Sequence, residues 1–220
     1  TNIFPYTTLF RSGGSISWLK NPKSKVSAQL VIARDGTIIQ LVPFNKKAWH
    51  AGPSAYDGYN NLNSHSIGIE LDNAGWMEET SQGEYMGSNG HKVPPARMVG
   101  VDTMKGTHPN VAGAKEWMLY TAEQLTALDK VVDVLLSEYP TIEYIVGHDE
   151  IDTRNIKSDP GPAFPLSHYK KKMVGRQDEG DVLFKVNADA LNVRGGPGVE
   201  FDRLSTGPLS KGMLLTLIER

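Results

Sequence analysis

The stretch VSAQLVIARDGTIIQLVPF, residues 26–44, holds two β-rich runs on either side of Arg34-Asp35-Gly36. Glycine supplies the positive φ that a tight turn needs, so Asp-Gly between two such runs predicts a β-hairpin. Upstream, Ile16, Trp18 and Leu19 suggest a short helix. It should stop before Asn21-Pro22, because proline disfavours helical geometry in the residue before it. Downstream, SIGIEL (66–71) is an apolar run of strand length and is expected to be buried. Residues 77–115 are polar, with many Gly, Pro and Lys, and read as a long surface excursion; its His91 and His108 read as solvated rather than as lining a groove.

A helix is expected from Thr121 to Glu138. Thr121 and Gln124 have capping-box spacing. Leu125, Leu128, Val132, Leu135 and Leu136 make one apolar stripe at helical period. IEYIVG (142–147) reads as a strand ending at His148, Asn155 to Phe164 as a Pro- and Gly-rich loop, and Leu166–Met173 as a closing helix. Residues 174–182 read as a linker. Residues 183–220, with short β runs and Gly-Pro turns, read as part of a small β-barrel that breaks off in a strand-like run.

The chain has 220 residues, room for one domain of ordinary size and a short second piece. Apolar residues make up 39% and charged residues 22%, as in a folded globular protein. The net charge of -2, without a dominant basic cluster, argues against nucleic acid as a partner. With no cysteine, disulfides, thiolate ligands and a Cys nucleophile are excluded together. Any metal must be held by His and carboxylate. No apolar run of membrane-spanning length occurs.

Three segments carry candidate chemistry. In GHDEIDTRNIKSDPGPAF (147–164), His148 and Asp159 are sound zinc-ligand types, and a catalytic zinc takes three protein ligands plus water. Lys157 between them suits stabilisation of negative charge on a carbonyl oxygen. Taken alone, His148 reads more readily as a packed or surface residue than as a ligand. In SIGIELDNAG (66–75), Glu70 sits in an apolar strand, where a raised pKa suits general-base work on water; the alternative is a strand-edge surface Glu. In VPFNKKAWHAG (42–52), Trp49 and His50 precede a polar loop and fit the wall of a sugar or peptide site; the alternative is a structural Trp anchor with a surface His.

Taken together, the order hairpin, AWHAG, LNxxSIGIEL, GHDEI, KxDPGPAF resembles the zinc-dependent N-acetylmuramoyl-L-alanine amidases over about residues 13–173. That family shares its fold with the peptidoglycan recognition proteins and the T7-type phage lysozyme. The resemblance implies an α/β fold, a mixed central β-sheet flanked by helices. It implies Zn2+ as cofactor, held in part by His148 and Asp159, with Lys157 stabilising the oxyanion and Glu70 assisting the water. It implies peptidoglycan as partner and substrate, hydrolysed at the amide between N-acetylmuramic acid and L-alanine, with Trp49, His50 and Asn63 as candidate substrate contacts. The loop from His148 to Lys157 is slightly longer than in some members. The tail, with LNVRGGPG, resembles bacterial SH3-like domains, which implies retention at the cell envelope or in the secreted space.

The departure from the family lies at the start. The family's first zinc ligand is a His near the end of the opening strand, where this chain has PYTTLFRSGG, so Pro5 or a neighbour stands in its place. PYTTLFRS also resembles the translation of a sequencing-adapter primer, and residues 1–12 read as non-native; the alternative is an ordinary first strand. Gln29 stands where the family commonly has a non-ligand His, and is expected to alter only local packing or the site wall. A peptidoglycan-binding module that does not cut is the competing reading of an incomplete zinc site.

Overall fold

The computed structural model describes residues 2–8, 14–88, 90–93, 98, 100–178, 183–185, 190–191, 202, 209–210 and 214–216. The chain divides into two compact units, Thr1–Lys170 and Lys171–Arg220.

The first unit opens with β1 (Asn2–Thr8) and α1 (Gly14–Leu19). The predicted stop after α1 is present: Asn21 caps a single 3-10 turn over Pro22–Ser24, accepting from the Lys23 N–H. The hairpin follows as β2 (Leu30–Ile32) and β3 (Ile38–Gln40). Its turn closes through Gly36 N–H to Ala33 O, 3.0 Å, with Gly36 at φ +82°. A short ribbon, β4 (Ala55–Tyr56) and β5 (Tyr59–Asn60), leads to β6 (Ser66–Asp72). The sheet order is β1-β6-β2-β3. β6 runs parallel to both β1 and β2, while β3 is antiparallel, so the sheet is mixed as expected. Every residue of β6 is buried, as a strand covered on both faces requires.

Residues 77–115 depart from expectation. They belong to a second sheet, antiparallel throughout, of β7 (Trp76–Glu79), β8 (Tyr85–Gly87), β9 (Lys92–Val93), β10 (Thr103–His108) and β11 (Val111–Met118). Its order is β10-β11-β7-β8-β9. β10 buries no residue and each of the other strands only one or two, among them Met77, Val93, Trp117 and Met118; the rest are half-buried or exposed. A sheet wetted on one face has a polar composition, which is why the segment reads as a loop.

The predicted long helix is α2 (Ala122–Glu138), with the complete Thr121–Gln124 capping box. Gln124 is fully buried and also donates from Nε2 to Ile32 O and Asp72 O, tying α2 to β2 and β6. IEYIVG is not a strand; Ile145 alone forms a bridge. Its apolar residues are buried by side-chain packing, Val146 against Ala51, Leu62 and Ile151, and no ladder is needed to bury them. His148 opens a one-turn helix, α3 (His148–Ile151). α4 (Leu166–Asp178) runs five residues beyond the expected Met173.

In the second unit, β12 (Leu183–Lys185) pairs antiparallel with β15 (Leu214–Thr216), and β13 (Ala190–Leu191) with β14 (Leu209–Ser210). Most of the segment assigned to an SH3-like barrel lies outside the described residues. Among the described residues no helix is long and apolar enough to cross a membrane.

Candidate active site

A cavity of about 410 Å³ brings together five of the seven sequence-predicted residues: His50, Glu70, His148, Lys157 and Asp159 all line it. That volume suits a small-molecule or short-peptide site. Trp49 and Asn63 stand outside it.

The β6 wall presents Glu70, which is 6% exposed and so is no strand-edge surface residue. Two residues earlier Gly68 lies under the His50 ring. A Cβ at that position would approach His50 Cγ to 2.5 Å, so the ring can rest there only over glycine. His50 is itself buried rather than on the surface. Burial, then the nearby His148, push its pKa down to about 3, against a raising hydrogen bond from the Ser66 backbone, so it is neutral at physiological pH. Asn63 explains how the AWHAG turn is held: its Oδ1 accepts from the His50 and Ala51 N–H groups, each at 2.8 Å. It acts on the backbone of the site rather than in the cavity. Trp49 is 55% exposed, with Lys47 Nζ over its ring at 4.1 Å, so it is not a buried anchor. Gln29 is buried and bonds Lys46 O and the Gly68 N–H, a packing role that joins β2, β6 and the approach to His50.

The opposite wall is the segment 147–159. His148 Nδ1 and Asp159 Oδ2 lie 3.0 Å apart. Burial raises the Asp159 pKa, but His148, by charge and hydrogen bond, and Lys157 outweigh it and hold the carboxyl below its ordinary value. The loop after Asp159 is fixed by Trp117. A Cβ on Gly161 (φ +71°) would meet the Trp117 ring at 2.2 Å, Trp117 Nε1 donates to Gly106 O, and Tyr120 OH donates to Pro160 O.

His148 and Asp159 are both of a type that zinc accepts as a ligand, and they adjoin each other at the cavity. Among the described residues no group of three or more His, Cys, Asp or Glu is placed to hold a metal ion. β1 is aligned with β6 along its whole length, Pro5 opposite Ile69 and Tyr6 opposite Glu70.

Sequence reasoning missed the contribution of the antiparallel sheet. Asn110, Val111 and Trp117 line the same cavity. His108, read as solvated, is half-buried, with its ring enclosed against Asp149 at 2.9 Å. Burial raises the Asp149 pKa, with His108 opposing. The usable signal was the spacing of single apolar residues, Met104, Val111, Trp117 and Met118, inside a polar segment.

Residues 5–162 match the family described as N-acetylmuramoyl-L-alanine amidase, Amidase_2. The 1,6-anhydro-N-acetylmuramyl-L-alanine amidase AmpD of Enterobacter cloacae is 33% identical over 155 residues, 70% of this chain and 60% of that protein. AmpD of Salmonella typhimurium LT2 is 35% identical over 147 residues, 66% of this chain and 56% of that protein. The chain thus spans under two thirds of the length of these relatives. Among solved structures, AmiD from E. coli, in complex with anhydro-N-acetylmuramic acid-L-Ala-D-gamma-Glu-L-Lys, superposes with a TM-score of 0.55 at 26% identity, over 77% of this chain and 56% of that one.

Proposed function

The chain belongs to the N-acetylmuramoyl-L-alanine amidase family, and from that premise we propose that it hydrolyses the amide joining the lactyl group of N-acetylmuramic acid to L-alanine in peptidoglycan. The observation that carries the proposal is the convergence of Glu70 from β6 and of His148, Lys157 and Asp159 from the segment 147–159 on one cavity. In this reading His148 and Asp159 hold Zn2+. The ion, when bound, makes its water a nucleophile near neutral pH and polarises a carbonyl. Glu70, buried beside the cavity floor, takes the proton of the attacking water as the oxygen bonds to the lactyl carbonyl carbon. It returns that proton to the alanine nitrogen as the carbon–nitrogen bond breaks. Lys157 places its ammonium against the carbonyl oxygen as negative charge develops there. Trp49, beside the cavity, and His50, within it, serve as substrate contacts, and Asn63 orients His50. The partner is a muropeptide or the intact wall, and the SH3-like tail serves retention at the envelope.

A second reading rests on a specific observation, the two-donor set among the described residues: a module that binds peptidoglycan and does not cut it. Zinc content and release of L-alanyl peptide, measured on this chain and on Pro5→His and Tyr6→His variants, separate the two. Stoichiometric zinc and turnover in the parent or in either variant support the amidase. Wall binding without zinc or turnover in all three establishes the binding module. In an active chain, Glu70→Ala and Lys157→Ala each lower kcat by about 10²–10³-fold, the typical loss for such a group. Near-normal turnover in either variant removes that residue from the mechanism.

A further inference from the structure

We infer that Asp152 and Asn110 form a two-sided clamp on the backbone of Lys157 and are positioning residues for its ammonium. The inference rests on the amidase reading for its consequence and on geometry for its existence. Residues Thr153, Arg154, Asn155 and Ile156 are all exposed, Ile156 at 63%, so apolar packing does not hold this loop. Polar bonds do. The Asp152 carboxylate is fully enclosed, and its Oδ2 accepts from the Ile156 N–H at 2.9 Å and the Lys157 N–H at 3.3 Å. Its Oδ1 accepts from Arg154 Nε at 2.8 Å. The loop turns through Asn155, at φ +55°, whose N–H donates to Asp152 O.

On the other side, Asn110 Nδ2 donates to the Lys157 carbonyl at 2.7 Å. Asn110 comes from the turn between β10 and β11, and is itself fixed: its N–H donates to His108 Nδ1 at 3.1 Å, and His108 Nε2 meets Asp149 at 2.9 Å. The N–H and the C=O of Lys157 are therefore both held by side chains, one five positions earlier in the same loop and one 47 positions away in the antiparallel sheet. That fixes the peptide planes on both sides of its Cα. A lysine side chain has four rotatable bonds and finds a developing oxyanion only if its Cα is placed; an error of about 1 Å in such placement costs up to about 10²-fold in rate. The antiparallel sheet thus contributes to the reacting centre through Asn110, without touching the reacting atoms itself.

A double-mutant cycle tests the clamp, using whichever of the parent, Pro5→His or Tyr6→His chains turns over an N-acetylmuramoyl-L-alanyl peptide with zinc supplied. Asn110→Ala and Asp152→Ala are each expected to lower kcat by about 10-fold or more with KM little changed. In the Lys157→Ala background neither should lower kcat further, because the residue they position is gone. Additive losses in that background overturn the proposal. Asp152→Asn, which keeps one acceptor oxygen and the side-chain shape, should recover part of the Asp152→Ala loss, and covers the case in which the alanine variant does not fold. Backbone amide exchange reads the Asp152 side of the clamp without turnover: the Ile156 and Lys157 amides should be protected in the parent and exchange faster in Asp152→Ala, with Asp152→Asn in between. Unchanged exchange overturns the clamp even in an active enzyme. Absence of product from all three chains would instead overturn the amidase reading and leave the exchange result to decide the clamp.

Discussion

The two sheets that meet at the cavity are built on opposite principles. β6 is buried along its whole length and sandwiched between parallel neighbours, and its apolar face is a continuous stripe of Ile67, Ile69 and Leu71. The antiparallel sheet of residues 76–118 is wet on one face and buries its residues one at a time. Yet both deliver residues to the same site, Glu70 from the first and Asn110, Val111 and Trp117 from the second. Structural importance is thus not proportional to local hydrophobicity. A strand can be integral to a site while contributing a single large side chain to the interior.

The sharpest way to break that comparison is to cut one anchor in each sheet. Leu71 and Trp117 are both essentially inaccessible. Trp117→Ala should cost about 3–5 kcal/mol and Leu71→Ala about 2–5 kcal/mol, the range for large buried side chains. Denaturant melts of the two variants give the answer. A loss below about 1 kcal/mol for Trp117→Ala would mean that the antiparallel sheet is a detachable excursion after all. Because the Trp117 ring also fills the space over Gly161, the variant should loosen the Asp159–Gly161 loop as well.

A second test concerns the buried imidazole between the two walls. His50 titrates at about 3 in the folded chain against 6.5 when unfolded. A depressed pKa means that its contribution to stability is complete above about pH 6.5 and is lost as pH falls toward 3, since the unfolded chain takes up the proton first. At about 1.4 kcal/mol per unit, roughly 2 kcal/mol is gone by about pH 5. His50→Gln should therefore flatten the stability profile between about pH 6.5 and 4, followed by thermal melts across that range. An unchanged slope would place the acid sensitivity on other groups.

How much of this was legible follows from which interactions are local. The hairpin was readable because one dipeptide, Asp35-Gly36, fixes the turn. α2 was readable because its cap and its stripe lie within eighteen consecutive residues. Glu70, His148, Lys157 and Asp159 were readable as a set because their motifs have a fixed order, and the cavity does collect them. What the sequence hid was long-range. Asn110 reaches Lys157 across 47 positions, and His108 reaches Asp149 across 41. Neither pair leaves a periodicity, so both residues looked like ordinary members of a polar segment. IEYIVG misled for the converse reason: apolar burial and strand pairing share a composition, and beyond the single bridge at Ile145 only the first is present there.

The cap on α2 offers the smallest and most local test. Thr121 Oγ1 accepts from the Gln124 N–H at 3.1 Å and donates to Arg34 O at 2.5 Å, while Gln124 Oε1 accepts from the Thr121 N–H. One side chain thereby satisfies the helix end and anchors the hairpin turn, where Gly36 lies against the Glu123 backbone. An N-cap Thr→Ala change alone costs about 0.5–2 kcal/mol. If the link to Arg34 adds to the cap, Thr121→Ala should fall at the upper end of that range, and Thr121→Ser, which keeps the hydroxyl, should lie near the parent. A Thr121→Ala loss of a few tenths of a kcal/mol would show that the hairpin and α2 are joined by the Gln124 bonds to Ile32 and Asp72 alone, and that the first sheet owes its helix to the interior rather than to the turn.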